Sequence, residues 1–348
     1  MAEANRFAVA TGNWNATSTW SATSGGTAGA SVPDTDQHAI IESGNNVTID
    51  VNDEIKSLTI NGGGTLTGNA SYSLTVNDEG DATYGTSGHA LNIDGAIGAN
   101  VNLIVTTQTT TVLDLIPSGG SIANLTINHA DCNAFIVGNT TSGITNLTIT
   151  AGSLNTDSGN NYALTVTGDV SVTGTLTGNA SAISMGSLTI ASGGTYSATS
   201  GTTTLTDQHT GTYYLLDNNG TFTHNNGTVT ITDAGRLSLN TGTTATHTLN
   251  NLIINLSSSG MGLYGALTID GDFTITSGGF SPQGQGGVHG THVLGNTSVA
   301  SAGVLGDGSD GSMTFHGLVT NLGELKLLQG QTYKFNGGLR QLGTFTTP

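Results

Sequence analysis

The octapeptide GTLTGNAS stands twice in this chain without a change, at residues 64–71 and 174–181. Repetition of that length is very improbable by chance and marks internal self-similarity, the sequence signature of repeat architectures. A shorter phrase recurs around it. Leu-Thr-Ile or Leu-Thr-Val begins at Leu58, Leu74, Leu125, Leu147, Leu164, Leu188 and Leu267, with the variant Leu-Ile-Ile at Leu252. In an extended strand the first and third side chains of such a triplet share a face, so each triplet predicts a short strand with two inward residues. Several triplets pair at intervals of 15 to 17 residues, as Leu58 does with Leu74 and Leu147 with Leu164. The phrase ALTVTGDVSVT (163–173) returns as ALTIDGDFTIT (266–276) with every apolar position kept, which points to duplication of a block of coils.

Short strands at a period of about 15 to 24 residues, with Gly, Asn and Asp at the corners, define a β-solenoid, in which each coil buries its apolar face only by stacking on the next. Composition agrees. The chain holds 53 Gly, only 8% charged residues, five Glu and three Lys, so the helix formers that a bundle or a doubly wound sheet needs are scarce. Propeller blades need longer repeats, and sandwiches need longer strands with aromatic cores. The predicted class is all-β, a parallel β-helix. Three segments follow: residues 1–35, a Gly/Ser/Thr-rich cap or docking segment that holds both tryptophans; residues 36–310, the solenoid repeats; and residues 311–348, C-terminal capping strands.

The net charge of −17, with no Lys/Arg cluster, disfavours nucleic acid and anionic lipid as partners. Cys132 is the single cysteine, so no intrachain disulfide and no Cys-based zinc site is expected. No apolar run approaches the length of a membrane span, and the first ten residues lack the core of a secretion signal. The expectation is synthesis in a cytoplasm and no insertion in a membrane.

The opening RFAVATGNWNATSTWSATSGGTAGASVPDTDQHAIIESGNNVTID (6–50), the rung phrase ALTVTGDVSVTGTLTGNAS and the phrase GTFTHNNGTVTITD resemble, in repeat style, the β-helical virion surface proteins of tailed bacteriophages, fibre-, spike- or decoration-like, and also bacterial adhesins. The resemblance implies an exposed structural role on a virion surface. It implies as partners other virion structural proteins, further copies of the chain, and host-surface glycans. No catalytic motif travels with it, so no cofactor is expected and the chain is read as a non-enzymatic protein.

Candidate sites are few. Asp169 and Asp272 occupy matching Gly-Asp turns, where corner residues capping backbone amides are expected rather than the paired acids of a glycosidase. Acidic turns occur at Asp34/Asp36, at Asp78/Glu79/Asp81 and at Asp307/Asp310. The last, in GDGSDGS, comes nearest to a calcium site, although none completes a known ion loop. His289 and His292 have no third ligand nearby and read as loop residues. Tyr213, Tyr214 and Phe222 are the densest aromatics within the repeats and read as the filling of a wider coil. Trp14 and Trp20 are assigned to partner docking, with a hydrophobic plug of the first coil as the competing reading. Two other functions stay open: a surface adhesin that presents loops to glycans, and a polysaccharide-degrading tailspike-type enzyme.

Overall fold

In the computed structural model the described residues are 4–78, 88–140, 143–209, 211–212, 214–233, 236–239, 247–282, 290–306, 311–327 and 331–347. The fold is a parallel β-solenoid. Helix among the described residues is limited to one 3-10 turn, Thr17–Thr19. The chain divides into two compact units, Met1–Thr167 with Gly174–Thr177, and Gly168–Thr173 with Gly178–Pro348.

In the first unit three parallel ladders form the walls of the coil. One runs through Ala4–Ala8, Gln37–Ile41, Ser57–Ile60, His89–Ile93, Thr110–Leu115 and the second half of Ile122–Val137. Another runs through Asp53–Ile55, Leu74–Val76, Asn102–Val105, the first half of Ile122–Val137 and Ile144–Asn155. A narrower one joins Gly12–Asn13, Asn46–Thr48, Thr65–Thr67 and Ala96–Ile97. In-register pairing sets like on like. Leu74, Leu103, Leu125 and Leu147 form one column and Val76, Val105, Ile127 and Ile149 the next, all 0% exposed. Each such leucine contributes roughly 1.5–3 kcal/mol by leaving water.

The second unit repeats the plan. A ladder from the first half of Ile183–Ile190 passes through Thr202–Leu205, Thr228–Ile231, Asn251–Tyr264, Phe273–Ser281, Thr297–Leu305 and Val319–Asn321 to Leu339–Gln341. Another joins His247–Leu249, Leu267–Ile269, Gly290–Val293, Gly311–Phe315 and Gln331–Phe335. Phe273 and Phe280 meet edge to face, with centroids 5.0 Å apart, inside this stack. Phe222 likewise meets the buried Tyr196 at 5.4 Å, as a rung with larger side chains should, while Tyr214 is only half-buried and Tyr213 lies outside the described residues.

Both terminal segments are built into the ladders. Residues 4–35 do not stand apart from the stack, because Ala4–Ala8 pairs along its whole length with Gln37–Ile41 as a full rung. The segment then turns back, and Trp20–Ser21 pairs antiparallel with Ala4–Ala8. The C-terminal strands Gly311–Phe315, Gln331–Phe335, Leu339–Gln341 and Thr344–Thr346 each extend an existing ladder in parallel, so they are rungs and do not fold over the stack as a cap.

Candidate functional site

Wherever the coil wall is regular, outward positions alternate with core positions and line up from rung to rung. Asn102, Asn124 and Asn146 are one such outward column. The Asn124 amide donates to Asn102 Oδ1 at 2.7 Å, and the Asn146 amide donates to Asn124 Oδ1 at 3.1 Å. At the foot of the column residues 68–73 bulge outward. Asn69 closes that loop by accepting Ser71 N–H at its side chain and Tyr72 N–H at its carbonyl. The Asn102 amide ties the loop down through the carbonyls of Tyr72, at 2.9 Å, and Asn69. Asn52 fixes the other end by accepting Ser73 N–H at 2.9 Å.

The loop and the ladder enclose a groove of about 370 Å³, lined by Asn52, Tyr72, Asn102, Ile104, Asn124 and Thr126 together with residues 70, 71, 73 and 103. The lining carries no carboxylate, imidazole, thiol or amine. Its chemistry is that of amides, hydroxyls, one phenol ring and one aliphatic patch, which suits a neutral, hydroxyl-rich ligand and offers nothing to abstract or donate a proton at neutral pH.

Trp14 and Trp20, the expected docking residues, are both 0% exposed. Their rings pack edge to face at 4.9 Å. The Trp14 indole N–H donates to Asp53 Oδ2 at 2.8 Å, and that of Trp20 donates to the Trp14 carbonyl at 2.8 Å. A buried, hydrogen-bonded indole pair has no surface to offer a partner, so these residues plug the first coil. Asp307, Asp310 and His289 lie outside the described residues, as do Glu79 and Asp81.

Asp272 caps a backbone amide, accepting Asn296 N–H at 2.8 Å. Its counterpart Asp169 accepts the Ser187 hydroxyl at 2.7 Å and lies 3.0 Å from His209 Nδ1, which sits off hydrogen-bonding angle. Here the carboxylate stands between hydroxyl and imidazole, whereas a nucleophilic serine needs the imidazole in the middle. His292 stacks on His316 of the next rung at 6.1 Å, and both are exposed. Among the described residues no group of three or more His, Cys, Asp or Glu is placed to hold a metal ion.

One titratable group escaped the sequence reading. Asp114 pairs in register with Asn92 of the preceding rung, close to Asp94. Burial, reinforced by the Asp94 carboxylate, pushes its carboxyl up from 3.8 to about 6, and its Oδ1 is buried without a hydrogen-bond partner. The signal was an acid in TVLDL next to inward leucines, but only the register shows which acid faces it.

No protein-family model, no curated protein and no solved structure matches this chain. The structure defines a class, a β-solenoid whose first unit has a closed first coil and a neutral groove on one wall.

Proposed function

We propose that the chain is a non-enzymatic structural protein, an exposed β-helical appendage (fibre, spike or capsid decoration) displayed on the surface of a bacteriophage particle and made in the host cytoplasm. The observation that carries this reading is the outward face of the coil. Asn102, Asn124 and Asn146 bond to one another up the stack rather than converging on a reacting centre, so the polar side chains stiffen and solubilise the wall. The neutral groove beside Tyr72 supports contact with a host-surface glycan, since amides, hydroxyls and an aromatic ring are the groups that bind sugars without hydrolysing them. Particles purified by density gradient from the source of this sequence test the reading. The chain should be present in stoichiometric amount, and antibodies raised against it should label intact particles. Recovery of the chain only in the cell envelope would overturn the virion assignment in favour of an adhesin.

A further inference from the structure

The groove at Tyr72 runs up the stack, because its lining comes from three successive rungs: the loop at 70–73 that leads into Leu74–Val76, then Asn102 and Ile104, then Asn124 and Thr126. At ~4.8 Å per rung it spans roughly 10 Å, the reach of two or three sugar rings. The following rung continues the outward pattern with Asn146 and Thr148. The groups left with bonding capacity are neutral. Asn52 accepts Ser73 N–H at its side-chain oxygen and keeps its amide donors, and among the described residues the hydroxyls of Tyr72 and Thr126 have no hydrogen-bond partner. Asn124 keeps one N–H and one lone pair after its two column bonds. The Tyr72 ring and Ile104 add an apolar strip that suits the C–H face of a pyranose.

No cation stands ready for an anionic ligand here. The first unit holds fourteen Asp and Glu against Arg6 and Lys56, a net −12. Arg6 is engaged by Ser31 and the Asn5 carbonyl, Lys56 lies 3.4 Å from Asp78 Oδ2, and neither lines the groove. Glu54 instead stands in the outward column that passes through Thr75 to Ile104, two rungs below the groove wall. That separation is roughly 10 Å, about one Debye length at physiological salt, so the carboxylate is felt there. An ionised sugar entering the groove would lose water, gain no opposite charge and meet this field. On the reading that a host-surface glycan contacts this groove, we propose that it selects uncharged chains: it takes two or three neutral hexose or N-acetylhexosamine units laid along the stack and rejects chains that carry carboxylate, sulfate or phosphate.

The test is an array of short oligosaccharides, each neutral sequence printed beside its sialylated, sulfated or uronic-acid form, probed with the fluorescently labelled full chain. Sequences that bind are then titrated by calorimetry. The neutral forms should bind about tenfold or more tightly than their acidic counterparts, with little change between low and high salt. Tyr72→Ala and Thr126→Ala should each weaken binding about fivefold, and Thr126→Lys should bring the acidic forms up towards the neutral ones. Melting temperatures are measured for all three variants. The Thr126 side chain makes no hydrogen bond among the described residues, so its two variants keep the test readable if Tyr72→Ala loosens the loop. Acidic forms that bind as tightly as neutral ones, or neutral binding untouched by both alanine substitutions, would overturn the proposal while glycan contact by the chain stands. An array on which nothing binds would overturn the glycan reading itself, and the proposal with it.

Discussion

At the level of single residues, the core was legible and the strained or titrating positions were not. Leu58, Leu74, Leu125, Leu147, Leu164, Leu188, Leu252 and Leu267 are all at most 1% exposed, because a leucine at alternate positions of a short strand has only one apolar place to go. Leu147 sits between fixed neighbours in its column, so Leu147→Ala leaves a hole that the rungs cannot close. It should cost about 2–5 kcal/mol in urea unfolding, and Leu147→Asp should prevent soluble expression. Asp114 depends on which rung lies beside it, information that is spread over residues 20 apart. With its folded value raised to about 6 from 3.8, the folded state holds a proton between those pH values that the unfolded chain has released. Stability should therefore fall as pH rises from about 4 to about 6 and level off above. Asp114→Asn should remove that slope and stabilise the protein at pH 8 by about 1 kcal/mol, a figure reduced for partial exposure, as urea titrations at pH 4, 6 and 8 would show.

Among elements, the repeated octapeptide shows both the reach and the limit of sequence reading. Its two copies give the strands Thr65–Thr67 and Thr175–Thr177 with the same single buried leucine. After the strand the copies diverge: a Cβ at Gly68 would strike the backbone of Asn100 and Val101, one at Gly178 the Ile183 side chain and the backbone of Thr199, and Asn179 alone takes a left-handed φ of 47°. Identical residues thus meet different neighbouring coils. The groove was invisible for the same reason, since it arises only where the loop at 68–73 lies against side chains about 30 residues further on. Asn124→Ala removes both bonds that its side chain makes in the asparagine column. Because the column is solvent-exposed, a loss of only about 0.5–1.5 kcal/mol is expected in urea unfolding. A loss beyond 3 kcal/mol would mean that the column holds the coil together rather than stiffening its surface.

For the whole molecule, the architecture implies that each rung depends chiefly on its neighbours, so an end is only as stable as whatever closes it. The segment 1–35 looked like a docking tail because it is Gly/Ser/Thr-rich and poor in Leu-Thr-Ile phrases. What composition concealed is that Phe7, Ala8, Trp14 and Trp20 supply the missing apolar volume in a different alphabet, and all four are at most 2% exposed. Both tryptophans of the chain lie in this coil, so tryptophan fluorescence excited at the red edge, where tyrosine does not absorb, reports on the first coil alone. Native emission should be blue-shifted, and Trp20→Ala should cost about 3–5 kcal/mol in a transition followed at that end. Deleting residues 2–30 strips the closing strand and both indoles, leaving Ile41, Val47 and Ile49, each 0% exposed in the intact protein, as the new outer layer beside a bare edge. The truncated protein should aggregate or melt several degrees lower than the full chain. An unchanged melting temperature would show that the segment closes nothing and would return it to the role of a docking tail.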